Sequence, residues 1–128
     1  MFAARLIQAR QLRGLSQRAL GDRMGLGKQK GSSRINRYEH QVTAIGFDNL
    51  ETLAQVLEVP VAYLLAENAV MADTILAIGQ ADETRRNALA TLIPALLQDP
   101  TLLSKLEKLL ELPKRERAKA LKGLADKA

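Results

Sequence analysis

The sequence predicts an all-α protein, with a compact N-terminal helical domain followed by a helical C-terminal extension. Three observations lead there. Hydrophobic residues make up 47% of the chain but aromatics only 3%, so a core must be built from Leu, Ile, Val, Ala and Met, a palette that favours helix over sheet. Apolar residues recur at three- and four-residue intervals along most of the chain. The segment from Leu15 to Glu39 has the pattern of two short helices meeting across a glycine turn.

At 128 residues the chain is one ordinary domain, or a small domain with an extension. It has no cysteine, so disulfides and cysteine-based zinc sites are excluded, and a lone His40 makes a metal site improbable chemistry. No metal and no cofactor is expected. The opening Phe2-Ala-Ala-Arg-Leu-Ile stretch is too short and too soon charged for a signal peptide, and no run approaches the ~18 apolar residues of a membrane span. The expectation is a soluble, cytoplasmic chain with no membrane partner.

The formal charge is +5, but its distribution is more informative. Residues 1–45 carry nine basic side chains (Arg5, Arg10, Arg13, Arg18, Arg23, Lys28, Lys30, Arg34, Arg37) against Asp22 and Glu39, a local +7. Residues 67–128 carry ten basic and nine acidic side chains, a near balance. A basic segment that coincides with a pair of glycine-jointed helices points to a polyanionic partner.

Taken in order, residues 2–13 place Leu6, Ile7, Ala9 and Leu12 near helical period, and Gly14 ends that helix. Arg10 or Arg13 could reach phosphate from there. Ser16 is a good N-cap for a second helix, Gln17 to Met24, and Gly25 can take the left-handed conformation that a tight turn needs. The free N–H groups at the start of that helix suit a phosphate oxygen. A third helix ends in Ile35, Tyr38 and Glu39, with Ile35 and Tyr38 expected in the core and Glu39 paired with an N-terminal arginine. Helices so joined are the layout that rests one helix on the DNA backbone and the other in the major groove.

These residues also carry a resemblance. Leu15-Ser16-Gln17, the small Gly21, the turn Gly25-Leu26 and the run Ile35-Asn36-Arg37-Tyr38-Glu39 are similar to the Cro/repressor-type (Xre-like) helix-turn-helix family. The resemblance implies a five-helix, lambda-repressor-like DNA-binding domain over residues 1–66 and a double-stranded DNA partner. It implies a backbone contact from Gln17, and it puts Gly21 where the family usually has alanine because the helices approach closely there. Anchored on Ile35, the family's base-reading positions fall on Ser32, Ser33, Arg34 and Arg37; arginine can bond guanine through two donors and serine can bond several base edges. Arg18, Lys28, Gln29, Lys30 and Asn36 are further candidates for backbone or additional contacts.

The departure from the family lies between Gly25 and Ile35, where the chain is about four residues longer, a little over one helical turn or ~6 Å. Two conformations fit. Lys28 to Tyr38 can form one long helix capped at Gly27, or Gly27 to Gly31 can form a basic loop with Ser32 capping a shorter helix. The long helix is the expectation carried forward.

After an unassigned loop at 40–46, Phe47, Leu50, Leu53, Ala54 and Leu57 form one apolar face that should pack on the motif helices. Pro60 suits a helix start, and Val61-Ala-Tyr63-Leu64-Leu65 completes the domain. In residues 67–128, Met71, Ile75 and Ile78 line a helix that Gly79 should end. Asp82 caps another, carrying Leu89, Leu92, Ile93, Leu96 and Leu97, with Pro94 expected to kink or divide it. Asp99-Pro100 is a strong start signal for a helix with Leu102, Leu103, Leu106, Leu109 and Leu110. Pro113 breaks that run, and Lys114 to Lys127 forms the last helix. Uncovered, such stripes would invite association, and the operators of the resembled family are generally two-fold, so 67–128 is expected to join a homodimer.

The function these observations point to is a dimeric, sequence-specific DNA-binding transcriptional repressor that occludes a promoter. An alternative is an antitoxin-like interaction module, its helical tail binding a partner protein while the N-terminal domain autoregulates. An enzyme is not expected: there is no P-loop, no dinucleotide glycine fingerprint and no nucleophile pair, and Gly-Lys-Gln-Lys-Gly at 27–31 lacks the Gly-Lys-Ser/Thr of a phosphate loop.

Overall fold

The computed structural model describes residues 1–126, and these form helices joined by short turns with no strand among them. Lys127, expected at the end of the last helix, lies outside the described residues. Two compact units divide the chain, Met1–Ala81 and Asp82–Ala128.

The first unit holds α1 (Phe2–Leu12), α2 (Gln17–Arg23), α3 (Lys30–Glu39), α4 (Phe47–Leu57), α5 (Val61–Leu64) and α6 (Ala69–Gln80). Its centre is made by Leu6 of α1, Leu20 of α2, Ile35 of α3, Leu53 and Leu57 of α4 and Leu64 of α5, all fully buried. Each such side chain contributes about 1.5–3 kcal/mol on leaving water, so these six aliphatic side chains hold five helices to one core. α6 joins them through Ala72, which is also fully buried. The unit therefore extends beyond residue 66.

Local chemistry sets the helix ends. Ser16 Oγ accepts from the Ala19 amide at 3.0 Å, the N-cap of α2. Gly14, Gly25 and Gly27 have φ of +64°, +74° and +81°, and the last two bracket the turn between α2 and α3. Arg13 donates from Nε to the Leu57 carbonyl and from Nη2 to that of Glu58, both at 2.7 Å. It satisfies carbonyls left free at the C-terminus of α4, so Arg13 is a structural tie rather than a phosphate ligand. Arg5 is 93% buried by its 7% exposure, and its Nε and Nη1 have no hydrogen-bond partner among the described residues. Burial pushes the Tyr63 hydroxyl above its ordinary range, the Arg5 guanidinium pulls the other way, and Asp73 adds to the rise.

Three expectations are corrected. The insertion does not form the loop capped by Ser32, and the long helix expected from Lys28 begins two residues later: α3 starts at Lys30, because left-handed Gly27 turns the chain and leaves Lys28 and Gln29 before the helix. Gly31 then lies in its first turn, where its backbone packs on that of Gly21; a Cβ built on Gly21 would stand 2.6 Å from the Gly31 carbonyl carbon. Phe47 is 83% exposed. It leads α4, one residue after Gly46, and the buried face of that helix is Leu50, Leu53, Ala54 and Leu57 without it. Gly79 does not end α6 but lies within it, where a Cβ would come 2.5 Å from Pro60 Cγ; close approach, not termination, is what the glycine provides.

In the second unit, α7 (Glu83–Gln98), α8 (Pro100–Glu111) and α9 (Lys114–Asp126) follow one another with minimal turns. Asp82 Oδ1 accepts from the Arg85 amide at 2.8 Å and Asp99 Oδ1 from that of Leu102 at 3.0 Å, the N-caps of α7 and α8. Pro94 lies inside α7, which continues through it undivided. Arg117 Nη2 donates to the Leu110 carbonyl at 2.8 Å, closing the end of α8 as Arg13 closes α4. No described residue of this unit is buried. No helix among the described residues is long and apolar enough to cross a membrane.

Candidate nucleic-acid interface

The candidate interface is built on α3. Gly31, Ile35, Tyr38 and Glu39 turn inward, and the helical period then puts Lys30, Ser33, Arg34 and Arg37 together on the outer face at i, i+3, i+4 and i+7. All four are exposed, whereas Ser32 is half-buried at the edge of that face. Asn36 is exposed on the flank, Lys28 and Gln29 are exposed in the preceding turn, and Arg18 is exposed on α2. Lys30, Ser33, Arg34 and Arg37 thus share one surface of the first unit, with Ser32 at its edge.

That surface is concave. Gln29, Lys30, Ser33, Arg34, Arg37 and Tyr38 line an open groove of about 550 Å³ whose far wall is Thr43 and Asn49. Asn49 Nδ2 donates to Tyr38 Oη at 3.4 Å, joining the start of α4 to the base of the groove. Thr43 and Asn49 were missed by sequence reasoning. Nothing in their local pattern marks them, since only the return of the chain after α3 brings them opposite the arginines.

Behind the groove a polar network fixes the angle between the two helices. Glu39 is 8% exposed; its carboxylate accepts from Arg10 Nε at 2.5 Å and from Gln17 Nε2 at 2.7 Å. Arg10 Nη1 also donates to the Leu15 carbonyl at 2.9 Å. Gln17 Oε1 accepts from Asn36 Nδ2 at 3.4 Å. The expected arginine partner of Glu39 is therefore Arg10, which is held inside and is not a free phosphate ligand. The Gln17 amide is oriented from both ends, at the N-terminus of α2, where the free amides and the positive end of the helix dipole gather. His40 Nδ1 lies 2.8 Å from the Asn36 carbonyl at the end of α3, and no group of three or more His, Asp or Glu among the described residues could hold a metal ion.

A family model described as helix-turn-helix matches residues 6–64. Among solved structures, that of transcriptional regulator BswR is similar at 34% sequence identity and a TM-score of 0.70, covering 77% of this chain and 97% of that one. The chain belongs to the Cro/repressor-type (Xre-like) helix-turn-helix family. The comparison with curated proteins gave no match. This Xre-like protein joins its two motif helices through two left-handed glycines, Gly25 and Gly27, and a glycine-on-glycine contact between α2 and α3.

Proposed function

We propose that this helix-turn-helix protein is a sequence-specific, double-stranded-DNA-binding transcription regulator, and that it acts as a dimeric repressor by occluding a promoter. The observation that carries the reading is the exposed outer face of α3. Arg34 and Arg37 are free to form two-donor bonds to guanine, Ser32 and Ser33 lie beside them on α3, and Lys28, Gln29, Lys30, Asn36, Arg18 and Gln17 are assigned backbone or supplementary contacts. The dimeric part is supported by the second unit, whose leucines have no core of their own, and by the two-fold sites that the family reads. Residues 1–66 would carry the DNA-binding function and 67–128 the association.

The test is binding-site selection from random duplex DNA, followed by titration of variants on the selected site. Arg34→Ala is expected to weaken binding by about 1–3 kcal/mol and to relax selectivity at one base position per half-site, whereas Lys28→Ala should weaken all sequences alike. Recovery of no preferred sequence, or equal affinity of the wild type and Arg34→Ala for the selected and the random duplex, overturns the reading.

A further inference from the structure

Helix α8 carries a stripe of five leucines, Leu102, Leu103, Leu106, Leu109 and Leu110, that its own unit covers only in part. Leu102 is 43% exposed and Leu110 66%, and the other three are only half-buried. A helical wheel places Lys105 along one border of the stripe and Glu107 along the other, with Lys108 and Glu111 further round on the outer face. Among the described residues none of these four forms an ion pair. Within the helix the arrangement is partly unfavourable. Lys105 and Lys108 are like charges three apart and Glu107 and Glu111 like charges four apart, offset only by the Lys108–Glu111 spacing.

A leucine stripe with a cationic and an anionic border is complementary to itself in one orientation only. When two copies pair in parallel, the two-fold axis runs along the helices and each cationic border meets the anionic border of the other copy. When they pair antiparallel, the axis crosses the helices and like borders meet. We propose that α8 is a self-association surface whose occupant is α8 of a second copy of this chain, in parallel and in register. Lys105 of each copy then faces Glu107 of the other on both sides of the leucine seam. The inference rests on the dimeric part of the function proposed above and specifies the helix, the residues and the polarity.

The full-length chain tests it by sedimentation across a concentration series. K105E and E107K each turn two attractions across the seam into two repulsions, and each is expected to weaken self-association roughly ten-fold. Inside the helix both do the opposite, replacing a like-charge neighbour by an unlike one, so unchanged helicity by circular dichroism separates lost pairing from lost folding. An equimolar mixture of the two, or the doubly exchanged K105E/E107K chain, is expected to recover wild-type association. Since the chain lacks cysteine, L102C supplies a single thiol that should form an intermolecular disulfide on mild oxidation, because parallel pairing juxtaposes position 102 with itself. Wild-type association in either single variant, no recovery in the mixture, or no L102C disulfide overturns the α8 pairing while leaving the dimer reading in place. A wild-type chain that stays monomeric throughout overturns both.

Discussion

Replacing Glu39 by alanine is expected to lower stability by about 3 kcal/mol, near the low end for breaking a buried ion pair from one side. The carboxylate is almost wholly enclosed and holds the Arg10 guanidinium and the Gln17 amide together. Without it Arg10 keeps only its bond to the Leu15 carbonyl, with its charge 17% accessible to water. That residual access is why the lower figure is chosen. In a domain of this size the loss corresponds to a fall in melting temperature of roughly 10–20 °C, measurable by circular dichroism. DNA binding should fall as well, even below the transition, because Gln17 loses the acceptor that aims it at the N-terminus of α2. A variant that melts within a few degrees of wild type would show that the pair is dispensable.

The second large effect is expected at Gly21. An added methyl would meet the Gly31 carbonyl carbon at 2.6 Å and its Cα at 2.7 Å, both backbone, so no rotamer change relieves the clash. Overpacking of this kind costs about 1–3 kcal/mol, while alanine returns up to ~1 kcal/mol of helix propensity. Gly21→Ala is therefore expected to lose about 1–2 kcal/mol net and to push α3 outward, separating its face from the wall at Thr43 and Asn49. Gly31→Ala meets Gly21 at 3.0 Å and should be milder. Thermal unfolding of the two variants checks both the sign and the order. A Gly21→Ala chain more stable than wild type would mean that the helices separate freely at this point.

Where the local pattern dictated the answer, the sequence was legible. Ser16, Asp82 and Asp99 cap the helices that their spacing marks, and the periodic Ile35, Tyr38, Leu53 and Leu57 are core. The pairing of Glu39 with an N-terminal arginine was legible too, though not the choice between Arg10 and Arg13, which depends on which turn of α1 faces α3. Phe47 illustrates the limit. Its hydrophobicity and register agree with the core face, yet at the first position of α4 no neighbouring element reaches it. Gly31 illustrates another, because its low helix propensity argues locally against helix while the reason for a glycine there lies across the fold in Gly21. Thr43 and Asn49 belong to the groove only through the path of the chain, which no short-range signal encodes.

The internal arginines also set a ceiling on how many counterions the basic segment before residue 46 can displace. Nine basic side chains precede residue 46, but Arg5 is enclosed, Arg10 is bound to Glu39 and Arg13 to two carbonyls, so Arg18, Arg23, Lys28, Lys30, Arg34 and Arg37 remain. With about 0.9 ions released per neutralised phosphate, these six should contribute no more than about −5 per chain to the slope of a double-logarithmic plot of affinity against ionic strength. The count of nine would have implied about −8, so the difference between the two gradients reads out, in bulk solution, how many cations the fold has turned inward.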